Sequence, residues 1–186
     1  MPSFIHFYLI IIAQAKIACG KLDEGQAILE GVPATLPADV PGANIITLTL
    51  AYGHLHLAQG WPEALFAGLE EQVRPFREAG FDSLLADEHW LRGRAALALG
   101  QFEAARAALV EARVTAEAQE ERAVLWQILA TLSELEHACD DTAADSSLRD
   151  QAWAVVDDIA AHASELQGAF LSQPAVAQLL GESWRS

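Results

Sequence analysis

Glycine recurs in this chain at a spacing of forty, at Gly20, Gly60 and Gly100, and the same residues return around it in the same order. Seven places before each stands a small residue, Ala13, Gly53 and Gly93. Three places after comes an acid (Asp23, Glu63, Glu103), seven after an alanine (Ala27, Ala67, Ala107) and nine after a leucine (Leu29, Leu69, Leu109). A fixed period of this length marks one structural unit repeated along the chain. The next terms, Ser133 and Asp140, fit the columns more loosely.

The unit reads as a pair of helices. Glycine suits the end of a helix, where a positive φ is needed and a side chain is a burden. The acid then falls in the first turn of the second helix, at the positive end of its macrodipole. In the clearest copy, Trp90, Leu91, Ala95, Leu97 and Ala98 precede Gly100, and Phe102, Ala105, Leu109 and Ala112 follow it, in stripes of helical spacing. Composition agrees, with 36 Ala and 25 Leu among 186 residues. A chain 52% hydrophobic and only 20% charged is too apolar to stay disordered. The expected fold is all-α, a single array with helix pairs near 4–32, 44–74, 83–118 and 121–163 and a capping helix near 174–182. In the fourth pair an acidic loop through Asp140, Asp141 and Asp145 is expected to lead to a second helix starting near Leu148. The turn at Gly60, continuing Trp61-Pro62-Glu63-Ala64, reads as one residue short. Connections between pairs are expected at Pro33, Pro37, Pro41 and Gly42, and at Pro75 and Gly80.

The third copy resembles the tetratricopeptide repeat (TPR) family, whose small, Gly, aromatic, Ala, bulky and Ala columns are met in order by Gly93, Gly100, Phe102, Ala105, Leu109 and Ala112. The forty-residue period also suits a HEAT-type array, which lacks this signature. The ending, Phe170-Leu171-Ser172-Gln173-Pro174 followed by Val176, Leu179 and Leu180, resembles the close of helical-repeat regions in large bacterial signalling ATPases and nucleotidyl cyclases. It is also similar to arrays in bacterial transcriptional activators. The resemblance implies a right-handed superhelix of helix pairs, an α-α solenoid, and a cytoplasmic protein-binding or sensor role in signalling or transcription regulation. It also implies a partner groove along the first helix of each pair. That places Gln14, His54, Arg94 and Glu134 in the groove, with Leu50 and Trp90 one helical turn earlier as apolar anchors. The family's carboxylate-clamp Lys and Asn are missing from those positions, so a chaperone C-terminal peptide is a poor ligand.

Other function classes lack support. Eleven Lys and Arg against 26 Asp and Glu give a net charge of -15, a field that repels nucleic acid. No phosphate-binding loop, GxGxxG or HExxH occurs, so no catalytic residue and no cofactor is assigned. His54 and His56, two apart on a helix, point to different sides. His137, Cys139, Asp140 and Asp141 are metal-ligand types with no second cluster to complete a site. Glu70-Glu71, Glu120-Glu121 and Asp157-Asp158 read as solvated faces, and Trp90, Trp126 and Trp153 as core aromatics. Cys19 and Cys139 form no CxxC, which points to a reducing compartment. No apolar run reaches the ~20 residues of a membrane-spanning helix.

The apolar block from Phe4 to Ala13 has two readings. Ala13-Gln14-Ala15 has the small-x-small form of a signal-peptidase site, yet no Lys or Arg precedes the block and His6 interrupts it. As the first helix of the array it is apolar nearly all round, where an end helix needs a polar outer face. Its surface is then expected to be covered, either by something upstream in a longer array or by a second copy of the chain.

Overall fold

The structure, a computed structural model, describes residues 3–33, 42–74, 78 and 84–180, and every element among them is helical. In chain order they are α1 (Ser3–Ala18), α2 (Leu22–Gly31), α3 (Gly42–Ala58), α4 (Pro62–Gly68, running into a π-helical turn Leu69–Val73) and α5 (Leu85–Ala98). There follow α6 (Phe102–Ala118), α7 (Arg122–Ala138), α8 (Thr142–His162), a 3₁₀ turn (Ser164–Leu166), α9 (Gln167–Leu171) and α10 (Pro174–Leu180). The expected connections through Pro37 and Pro41, and through Pro75 and Gly80, lie outside the described residues.

One turn is used five times among the described residues. Gly20, Gly60 and Gly100 have φ of 76°, 75° and 70°, and Glu120 and Asp140 adopt the same left-handed backbone at 56° and 62°. In each case the next residue's N–H reaches back five places to a helix carbonyl: Lys21 to Lys16, Trp61 to His56, Gln101 to Ala96, Glu121 to Ala116 and Asp141 to Glu136, at 2.8 to 3.0 Å. That is the Schellman closure, which satisfies carbonyls a helix end would otherwise leave bare. The turn at Gly60 therefore has the same length as the others, against the shortened turn read from the sequence. Asp140 takes the glycine's place because a short acidic side chain tolerates this backbone better than most. The acidic loop is also shorter than expected: α8 begins at Thr142, Asp141 caps it by accepting from the Ala144 N–H at 3.0 Å, and Asp145 lies in its first turn.

The helices pack as pairs in succession. Helix α1 lies on α2, α3 on α4, α5 on α6 and α7 on α8. Each first helix also meets the first helix of the next pair (α1 on α3, α3 on α5, α5 on α7), and each second helix meets it too (α2 on α3, α4 on α5, α6 on α7). Helices α9 and α10 fold onto α8. The core follows the forty-residue register. His6, Ile46, Ala86 and Trp126 are all buried, as are Ala13, Gly53, Gly93 and Ser133. The small residues mark the point where the two helices of a pair cross. A Cβ added to Gly93 would lie 2.5 Å from Leu109 Cγ, one added to Gly53 would lie 2.8 Å from Leu65 Cδ1, and one added to Gly25 would lie 2.6 Å from Ile17 Cγ1. In the fourth pair the crossing is polar instead: the Ser133 hydroxyl donates to Asp145 at 2.5 Å.

Polar ties join successive pairs. Gln59 donates to Gln26 (2.9 Å), Arg92 to Glu70 (2.7 Å), Arg94 to Glu134 (3.0 Å) and Arg113 to Gln151 (3.0 Å), and Arg106 pairs with Glu136. A separate apolar cluster of Trp126, Val156 and Val176, with Trp153 and Phe170 against it, fixes the C-terminal helices.

Candidate functional site

Four successive first helices turn one side toward a common cleft of about 670 Å³. Because the pairs repeat every forty residues, equivalent positions come into line: Gln14 from α1, His54 from α3, Arg94 from α5 and Glu134 from α7 all line it. Trp90 joins them one turn before Arg94. Leu50 does not. It is 2% exposed and packed in the core with Leu65 and Leu69, so its assignment as a groove anchor is corrected. The reason is the register: position 50 belongs to the buried face of α3, and Trp90, its equivalent on α5, reaches the cleft only because an indole is large enough to pack and show an edge at once.

The far wall comes from later elements. Trp126, Gln127 and Thr131 of α7, Arg149 and Trp153 of α8 and Leu179 of α10 also line the cleft. Their signal in the sequence is weak, because Asp140 stands where the earlier pairs have the register glycine and α10 enters from outside the repeat. Trp90 itself is only 8% exposed and donates from Nε1 to Thr131 Oγ1 at 3.0 Å. Thr131 in turn donates to the Gln127 carbonyl at 2.8 Å. The indole of Trp90 is thus locked by a buried hydrogen bond between two pairs, which preorganises the cleft wall.

His54 lies half-buried over Trp90, ring centroids 5.4 Å apart. Burial and the nearby Arg94 guanidinium push its imidazole down to about 4, so it is neutral at physiological pH. Arg94 is held by Glu134, and Arg149 reaches Asp145 at 3.0 Å. Each of the two cleft arginines is therefore paired with a carboxylate, in a molecule of net charge -15.

Asp145 gathers Ser133, His137 (Nδ1 at 3.2 Å) and Arg149 around its carboxylate. Hydrogen bonding from Ser133, helped by Arg149 and His137, holds its pKa below the usual carboxylate value. Serine and histidine both address the aspartate and neither activates the other, so the cluster is a helix anchor rather than a nucleophile. Among the described residues no group of three or more His, Cys, Asp or Glu side chains is placed to hold a metal ion. Cys19 and Cys139 are free and exposed. Among the described residues no helix is long and apolar enough to cross a membrane. No family profile, no curated protein and no solved structure matches the chain.

Proposed function

We propose that the chain is a non-enzymatic protein-binding module, a TPR-like superhelix of helix pairs whose cleft takes an extended segment of another protein. The observation that carries this reading is the convergence of Gln14, His54, Arg94 and Glu134, one from each of four successive pairs, on a single cleft with Trp90 beside them. A site built from every pair reads a ligand along its length, as an extended peptide requires, whereas a small molecule is met by a few convergent groups. The aromatic edges of Trp90, Trp126 and Trp153 offer the anchoring that dominates interface energy. A role within a larger signalling or regulatory protein follows from the family resemblance alone.

Panning a displayed library of random linear peptides against the purified chain tests the site. Binders should quench indole fluorescence, and Arg94→Glu should weaken them about ten-fold or more while helicity stays unchanged. Arg94 is the better probe than Trp90, whose removal also opens the core. Binders indifferent to Arg94→Glu and to Gln127→Ala would remove the cleft from the function.

A further inference from the structure

Helix α1 carries an apolar face that stands exposed among the described residues. Ile5 and Tyr8 are each 63% exposed, Ile12 47%, Ile11 43% and Phe7 41%, and Ala15 is exposed as well. The forty-residue register shows what this face is for. The equivalents of Ile11 are Ala51, Leu91 and Thr131, and those of Ala15 are Leu55, Ala95 and Leu135; all six are buried, at 2% exposure or less. The same column is thus open in the first pair and closed in the three that follow.

What closes it is visible in each later pair. Ala51 and Leu55 are packed with Ile10, Ala13, Ile17, Leu29 and Val32 of the preceding pair. Leu91 lies against Gly53 of the pair before it, where an added Cβ would come within 3.0 Å of its Cδ1. Thr131 receives the Trp90 hydrogen bond from the pair before it. The interface is made three times within the chain, always by both helices of a preceding pair. We infer that the outer face of α1 is the docking seat for a helical hairpin of a partner protein, which covers Ile11 and Ala15 as the first pair covers Ala51 and Leu55.

A second copy of this chain fits the seat poorly. Two faces pressed together would bring two molecules of net charge -15 into contact. A head-to-tail copy would have to offer the free side of α8, which α9 and α10 already occupy. An amphipathic helix pair of a partner protein meets neither obstacle.

The probe is the chain's own third pair. Residues 84–121 are repeated directly ahead of Pro2, which keeps the forty-residue register, so that the copied α6 meets α1 as the native α6 meets α7. Light scattering of the unextended chain is expected to give a monomer mass independent of concentration, with strong binding of the apolar dye ANS. In the extended chain ANS emission should fall several-fold and amide exchange in α1 should slow at least ten-fold. Ile11→Glu should cancel both gains while leaving the helicity of the unextended chain intact. A concentration-dependent dimer lost on Ile11→Glu would overturn the inference in favour of a second copy. An extension that folds without protecting α1 would overturn it outright. Where the extension fails to fold, a second chain with Tyr8→Ile, Ile11→Thr, Ile12→Leu and Ala15→Leu gives α1 the side chains of α7 at these places. Docking on that face alone, or on neither face, also overturns the inference.

Discussion

At the scale of single residues, two titrating groups oppose each other. Asp87, in the first turn of α5, has its carboxyl pushed up to about 6 by burial and by Glu121, while His54 is pushed down to about 4. Between the two pKa values of Asp87 the folded state binds the extra proton, so its contribution to stability is full below about 3.8 and is lost as pH rises through 6. For His54 the unfolded state binds the extra proton, so its contribution is full above 6.5 and is lost as pH falls through 4. The two slopes cancel over roughly pH 4–6. Relative to the parent chain, Asp87→Asn should therefore lose stability on acidification through this window, and His54→Gln should gain it, each by roughly 1–2 kcal/mol. Urea denaturation at four or five pH values measures both, and parallel curves for the two variants would show the shifts to be absent. Asp87→Asn should in addition be more stable than the parent at pH 7.

At the scale of elements, the crossing of each pair is set by one small residue. Gly93 admits Leu109, which is fully buried. Alanine is the better helix former by about 1 kcal/mol, yet its Cβ would stand 2.5 Å from Leu109 Cγ. Gly93→Ala should accordingly destabilise by about 1–3 kcal/mol. Leu109→Ala alone should cost about 2–5 kcal/mol through the cavity it leaves. The double variant should lose less than the sum of the two, because the added methyl then meets space. Strict additivity in a double-mutant cycle would deny the close contact. The crossing was legible in the sequence as the column Ala13, Gly53, Gly93. Its polar version, Ser133 on Asp145, was not, because hydrogen-bonded partners replace the size rule that the column expresses.

At the scale of the molecule, stability should be graded along the chain. The second, third and fourth pairs share the large cluster from Ile46 to Leu135 and several polar ties, whereas the first pair contributes to a smaller cluster and leaves one face of α1 in water. Amide hydrogen exchange should be slowest in α5 to α7 and fastest in α1 and α2. Uniform protection from α1 to α8 would mean that the chain unfolds as one unit. The same gradient bears on the cleft, whose wall from α5 to α8 is the rigid part and whose edge at Gln14 is the yielding one.

What the sequence determined by itself was everything local or periodic. Helix formers, a left-handed glycine every forty residues and an acid three places later dictate paired helices, because turn geometry and helix termini act within a few residues. The period makes Gln14, His54, Arg94 and Glu134 equivalent positions, and only the family resemblance implied a groove there. Tertiary structure decided which side of each helix meets which neighbour. It buried Leu50 while exposing the edge of Trp90, set Glu120 and Asp140 in turns that lack glycine, and brought α8 and α10 round to complete the cleft. These outcomes depend on side-chain volume and on contacts between residues forty or more apart, and a local pattern carries no record of what will cover it.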